Sequence, residues 1–233
     1  MVSVNRAAPD VGPGPILTGA QPPDSIVIAN NKGSEKRFLT KAKDMQDITD
    51  LNQGDLEIAN LLFQEAVDLA AIETICRLAN EIWYEYYGPI IGIDQVKYML
   101  ARFQSVQAIR HQIDTGYQYF LLSQGAEPIA YFALVADQPR RTLHLSKLYV
   151  RAAARRNGVG GKIIAFIEAY CRRHGMEQIW LTVNRHNHAA IDFYLNNKFI
   201  NAGSLLQDIG DGFVMDDFKM IKNIAGCGFE SIV

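Results

Sequence analysis

The sequence predicts one α/β (α+β) domain whose central sheet is mixed, mostly antiparallel, and flanked by helices. Three observations predict it: three strand-like runs joined by tight turns between residues 117 and 150, a glycine-rich strand-to-helix turn at 148–162, and two helical stripes ahead of both. Hairpin-joined strands pair antiparallel, whereas a strand–helix–strand unit adds a parallel neighbour, so a chain holding both builds a mixed sheet.

Taken in order, residues 1–54 hold Pro9, Pro13, Pro15, Pro22 and Pro23 among Gly, Ser, Asn and charged residues, with short apolar islands such as Ser25–Asn30. Too little apolar surface is present there to offset the entropy of ordering, and the segment is expected to be a flexible tail, although the 26–29 island could dock as an edge strand. The domain is expected over 55–224, followed by a C-terminal tail at 225–233. Ile58–Phe63 reads as a strand, and Asp68 as the cap of a helix whose stripe is Ile72, Ile75, Leu78, Ala79 and Ile82. After Gly88-Pro89, the spacing of Val96, Met99, Leu100, Phe103 and Val106 predicts a second helix from Asp94 to about Ile113.

Strands are then predicted at Tyr117–Ser123, Pro128–Ala136 and Leu143–Val150, separated by the Gly125 and Pro139 turns. Gly158–His174 places Ile163, Ile164, Ile167, Tyr170, Cys171 and His174 on one helical face before Gly175 stops it. Strand Gln178–Val183, helix His188–Asn197 and strands Phe199–Leu206 and Phe213–Ile221 complete the order, with no internal repeat.

Composition limits the partners. The chain has 233 residues, 48% hydrophobic and 21% charged, with 23 Lys plus Arg against 25 Asp plus Glu. A net charge of −2 supplies no broad attraction for nucleic acid or for an anionic membrane, so neither is expected as a partner, and an anionic ligand needs a local site. No apolar run approaches the roughly 20 residues of a spanning helix, and the start lacks the basic and apolar regions of a secretory signal. Cys76, Cys171 and Cys227 form no CxxC pair and cannot all be paired internally, which with the rest reads as cytoplasmic.

The stretch that carries chemistry is Leu148-Tyr-Val-Arg-Ala-Ala-Ala-Arg155-Arg-Asn-Gly158-Val-Gly160-Gly161-Lys162. Glycines permit a sharp turn that exposes successive N–H groups, the helix start adds partial positive charge, and Arg155, Arg156 and Lys162 add mobile charge: together, a cradle for phosphate or pyrophosphate. A plain glycine turn with solvated arginines is the alternative. A nucleotide P-loop is excluded, because Lys162 is followed by Ile163, and the dinucleotide GxGxxG pattern fails at Ile163.

Arg155-Arg-Asn-Gly158-Val-Gly160 does match [R/Q]xxGxG, and here the chain resembles the GNAT superfamily of acyl-CoA-dependent N-acyltransferases. The resemblance continues through Trp180–Val183, Asn187-His-Ala-Ala-Ile-Asp-Phe-Tyr194 and Lys198-Phe-Ile, where Lys198 stands in place of the usual Gly, and covers about 56–224. It implies that the backbone of Arg155, Arg156, Asn157, Gly158, Val159, Gly160 and Gly161 holds the pyrophosphate of acetyl-CoA. It also implies that Leu148, Tyr149 and Val150 pair through their backbone with the pantetheine arm; plain core packing is the ordinary reading of the Leu148 and Val150 side chains, and the two are compatible. Asn187 would contact the same arm, serve as a helix N-cap, or do both.

Tyr194 is either an aromatic core residue or, as the resemblance implies, the acid that protonates the departing thiolate. Counting back from Arg155 puts His144 where one branch of the family has its glutamate base; a sheet histidine with a satisfied hydrogen bond is the alternative. Glu81 and Glu85, beside Trp83, Tyr84, Tyr86 and Tyr87, are rival proton acceptors that could line a pocket for a cationic acceptor, or this aromatic run could simply pack on the second helix. His186 and His188 lack ligand-spaced companions, so no metal is expected.

The implied activity is acetyl-CoA-dependent N-acetyl transfer to a primary amine of a small molecule or peptide, by direct attack on the thioester. The alternative is a non-catalytic acyl-CoA-binding or sensor module of the same fold. Homodimerisation is common in the family, although no feature here demands it.

Overall fold

The computed structural model describes residues 61–224. Residues 58–60 of the expected first strand, both tails and Cys227 lie outside the described residues. The elements run β1 (Leu61–Glu65), α1 (Leu69–Ile82), a π-helical turn (Trp83–Tyr87) continuing into one helical turn (Gly88–Ile91), then α2 (Ile93–Phe103) and α3 (Val106–Asp114). They continue as β2 (Tyr117–Gln124), β3 (Glu127–Asp137), β4 (Thr142–Val150), α4 (Val159–His174), β5 (Gln178–Asn184), α5 (His188–Asn196), β6 (Ile200–Gly210) and β7 (Phe213–Asn223). Seven strands form one sheet in the order β1-β2-β3-β4-β5-β7-β6, in which β4–β5 is the parallel pair.

Local chemistry explains the boundaries. Asp68 Oδ1 accepts from the Ala71 N–H at 2.8 Å, opening α1, whose buried residues Ala71, Ile72, Ile75, Leu78, Ala79 and Ile82 form the anticipated stripe. The single helix expected over 94–113 is two. Gln104 leaves helical geometry at φ −127°, and Ser105 opens α3 by accepting from the Ala108 N–H. The apolar spacing continues across this break because both helices face the same core, and periodicity alone therefore does not reveal it. Gly175, at φ 69°, ends α4 by donating to the Cys171 carbonyl.

Two apolar layers sandwich the sheet. On one face, α4 and α5 cover Phe120, Phe132, Leu143, Leu145, Ile179 and Leu181, with Phe63 stacked on Phe166 at 4.6 Å. On the other, α1, α2 and α3 cover Tyr119, Leu121, Tyr131 and Ala133. β3 is buried continuously from Ile129 to Leu134, as a central strand covered on both faces must be. Ile75 and Ile163 are fully buried, each contributing about 2–3 kcal/mol of apolar transfer.

Candidate active site

The site begins with an interruption of the sheet. β4 and β5 pair only where Thr142, Leu143 and His144 lie against Gln178, Ile179 and Trp180. Beyond them β4 runs to Val150 and β5 to Asn184 without pairing each other, so the two strands splay and leave a backbone edge open along Leu145–Val150. A bulge adds to this. Between the pairs Ala133–Lys147 and Leu134–Leu145 the register shifts by one residue, at Ser146. Leu143 and Leu145 therefore face α4, Lys147 and Tyr149 face the α1–α3 side, and Leu148 and Val150 return to the α4 layer.

The glycine turn closes the open end of the splay. Gly158 occupies the left-handed region at φ 76° and caps α4 without any side-chain hydrogen bond, so the first-turn N–H groups at Val159, Gly160 and Gly161 have no capping acceptor. Gly160 is needed for close packing: a Cβ there would stand 2.9 Å from the Phe193 ring of α5. Arg156, at φ 64°, and Asn157 are exposed on the same turn. The uncapped N–H groups of the first turn and the basic side chains nearby give this turn the chemistry that could hold an anion.

Arg155 holds three groups. Its guanidinium binds both Glu85 oxygens at 3.1 and 2.6 Å and lies 4.7 Å from the Tyr86 ring centre, while its Nε donates to the Val150 carbonyl at 2.8 Å. Asn187 is buried and does cap α5, accepting from the Ala190 N–H at 3.2 Å. The same Oδ1 accepts from the Tyr86 hydroxyl at 2.8 Å, and its amide donates to the Tyr87 hydroxyl at 3.4 Å. The aromatic run thus reaches across the splay. Trp83 stacks on Tyr87 at 4.7 Å and meets Tyr149 at 5.5 Å, and Tyr84 alone points away, at the rim of a 310 Å³ groove with Cys76 and Gln104.

The residues expected to move protons are placed differently from one another. Tyr194 is buried between Phe193 and Phe199, and burial pushes its phenol well above the ordinary range, so it stays protonated at neutral pH. It lies near enough to Tyr87 and Tyr149, on the opposite face, to raise both phenols electrostatically through the gap. His144 sits at the closed end of the splay, stacked flat on Trp180 at 3.7 Å and 4°. Burial, with Lys147 and Lys219 nearby, brings its pKa down to about 3. Glu81 is paired with Arg151 at 2.7 Å, and Arg151 bridges on to Glu127 at 2.5 Å, so this acid is engaged at the rim.

Two buried charges escaped sequence reasoning. Lys147 donates to Gln112 at 2.8 Å and Ser146 at 3.3 Å, and burial lowers it to about 7. Asp217 on β7 is 7% exposed, and burial raises it to about 6, with Asp216 adding and a Thr182 hydrogen bond opposing. Strict alternation puts Lys147 on the Leu143–Leu145 face, and only the bulge moves it. Asp217 was detectable as an acid among Phe213, Met215 and Phe218 in a strand-like run.

A sequence model of the acetyltransferase (GNAT) family matches residues 72–199, more than half of the chain. This protein belongs to the GNAT acetyltransferase family. The splayed β4–β5 pair and the glycine turn fall inside the matched region. No curated protein sequence matches the chain significantly. Among solved structures it is similar to a PaiA N-acetyltransferase from Thermoplasma acidophilum in complex with coenzyme A, with 20% identity over 70% of this chain and 98% of that one and a TM-score of 0.56. It is also similar to the ribosomal-protein alanine N-acetyltransferase from Escherichia coli, with 15% identity, 74% and 99% coverage and a TM-score of 0.56. A GNAT-family acetyltransferase from Staphylococcus aureus gives 18%, 70% and 99%, and 0.53. At such identities the likeness establishes the shared fold. Among the described residues no group of three or more His, Cys, Asp or Glu could hold a metal, and no helix is long and apolar enough to cross a membrane.

Proposed function

We propose that this GNAT protein is an acetyl-CoA-dependent N-acetyltransferase that acylates a primary amine of a small molecule or peptide. The observation that carries the reading is the open β4 edge leading directly to an uncapped helix N-terminus. An extended pantetheine arm fits the first, along Leu148, Tyr149 and Val150, where β5 does not pair and where the Val150 carbonyl accepts from Arg155 Nε in place of a strand. A pyrophosphate fits the second, at the N–H groups of Gly158, Val159, Gly160 and Gly161 with Arg155, Arg156 and Asn157 around it. Asn187 borders the same gap.

The chemistry is direct attack of the amine nitrogen on the thioester carbonyl, favoured by holding both reactants in one cleft. Tyr194, kept protonated by burial, would supply a proton to the departing sulfur. One observation favours a second, non-catalytic reading as an acyl-CoA sensor: His144 is stacked and held neutral, and Glu81 is ion-paired, so neither expected base stands free.

Calorimetric titration with acetyl-CoA and CoA, followed by thiol release against a panel of amines, tests the proposal. Binding that is abolished by Gly158→Val or Gly160→Val, with amine-dependent thiol release, is the expected result. Binding without release selects the sensor. Absence of binding refutes both. If Tyr194 is the acid, Tyr194→Phe keeps acetyl-CoA affinity and slows turnover; unchanged turnover removes Tyr194 from the mechanism.

A further inference from the structure

Four polar or charged side chains are buried among the described residues: Gln104, Lys147, Asn187 and Asp217. Gln104 faces the Tyr131 hydroxyl, Lys147 is bonded to Gln112, and Asn187 caps α5. Asp217 is the buried carboxylate of the set, and among the described residues it makes no ion pair. Its cationic neighbour on the same face of β7, Lys219, lies over the Trp180 ring, and Arg185 is paired with Asp216 at 2.6 Å. A carboxylate withdrawn from water without a cation is costly, and such a group is relieved by taking up a proton.

The position of Asp217 says where that charge would come from. In the β5–β7 register Asp217 lies opposite Asn184, at the open end of the splay and three residues before Asn187. Thr182 on β5 hydrogen-bonds its carboxylate, and its charge acts on the Tyr87 phenol, which also binds Asn187 and feels Tyr194. Asp217 therefore stands at the open end of the splay, within electrostatic reach of Tyr87, the same phenol that Tyr194 influences.

We propose that Asp217 is a catalytic residue of this transferase, receiving the acceptor amine and taking its proton as the new C–N bond forms. The inference rests on the reading of the preceding section. In the step, the nitrogen lone pair of the neutral amine forms the C–N bond to the thioester carbonyl carbon and the C–S bond breaks. The N–H proton goes to the Asp217 carboxylate, and the sulfur takes a proton from Tyr194. Asp217 then releases its proton to solvent and Tyr194 regains one, so that amine and acetyl-CoA become amide and CoA thiol. The groups that face Asp217 are Thr182 and Asn184 from β5, Tyr87 from the π-helical turn, Leu205 from β6, and Asp216 and Lys219 on its own strand.

The test compares wild type, Asp217→Asn and Asp217→Glu, using acetyl-CoA with spermidine, phenethylamine and a tripeptide with a free N-terminus as probes. For Asp217→Asn, kcat is expected to fall about a hundredfold, with the acetyl-CoA Kd by calorimetry kept within twofold. The acid limb of the kcat profile, near pH 6 in wild type, should disappear with it. Asp217→Glu should restore at least a tenth of kcat. A wild type that turns over while Asp217→Asn keeps its kcat or its acid limb overturns this proposal alone. Loss of acetyl-CoA binding together with activity also overturns it, since it assigns Asp217 to the scaffold. A wild type silent toward every probe overturns the transferase reading and this step with it.

Discussion

Adjacent glycines in the α4 turn should respond to the same substitution with opposite signs. At Gly160 a Cβ would stand 2.9 and 3.0 Å from two atoms of the Phe193 ring, whereas at Gly161 nothing lies within 4 Å. Gly160→Ala thus forces α4 and α5 apart or turns the ring, an overpacking cost of about 1–3 kcal/mol, against a helix-propensity gain of at most about 1 kcal/mol. Gly161→Ala receives the propensity gain without the clash. The two variants should differ by about 2 kcal/mol, which for a domain of this size is roughly 4–8 °C in Tm. Thermal melts followed by circular dichroism read the difference directly. Phe193→Leu shortens the ring that is struck, so combined with Gly160→Ala it should recover most of the loss. A Gly160→Ala protein that melts at or above Gly161→Ala would refute the packing argument.

Lys198 holds φ 68° just after α5, a left-handed conformation costly for a side-chain-bearing residue. Lys198→Gly should stabilise by about 1 kcal/mol, and a denaturation midpoint that does not rise contradicts it. Glu85→Gln releases the Arg155 guanidinium from a partly exposed pair, 26% and 48% exposed, worth at most about 1 kcal/mol. Acetyl-CoA should therefore bind up to about fivefold tighter by calorimetry, and weaker binding would show that Glu85 helps to hold the ligand. The His144 ring, lowered to about 3, should keep constant NMR shifts from pH 5 to 8, and a midpoint near 6.5 would disprove its burial against Trp180. Asp217, raised to about 6 from an unfolded 3.8, binds a proton more tightly when folded, so its stabilising contribution is full below pH 3.8 and is lost as pH rises through 6. Asp217→Asn should gain up to about 3 kcal/mol relative to wild type at pH 8, with the difference shrinking below pH 5, and a pH-independent difference in urea melts would refute it.

Most of the element order was legible because local rules and tertiary packing agree. Asp68, the α1 stripe, the Gly175 stop and the three hairpin strands are each set by residues within a few positions of one another. The glycine turn itself was legible for the same reason, since Gly158 acts through its own left-handed backbone, whereas the need for Gly160 comes from Phe193 on α5. What was hidden depends on distant chain. The α2–α3 break leaves the apolar spacing intact. The Ser146 bulge exists only relative to β3, and it decides which face Lys147 occupies. Glu85 and Tyr86 read as acceptor-pocket residues, whereas their partners Arg155 and Asn187 lie 70 and 101 positions away.

The π-helical turn gives those long-range contacts their meaning. Its wider winding carries Tyr86 and Tyr87 off the α1 stripe and toward β4 and the start of α5. There each contact has the chemistry of the ligand that the cleft is proposed to take: a carboxylate on Arg155 where a phosphate would sit, and a phenol on Asn187 where an amide would reach. Ligand entry then exchanges one charge-assisted bond for another and one neutral hydrogen bond for another, so no buried donor or acceptor is stranded during the exchange. The partial exposure of the Arg155–Glu85 pair keeps it weak enough to yield. Asp217 has no such placeholder. A carboxylate would repel it, and in the proposed step the positive charge that reaches it is the proton released by the neutral acceptor amine.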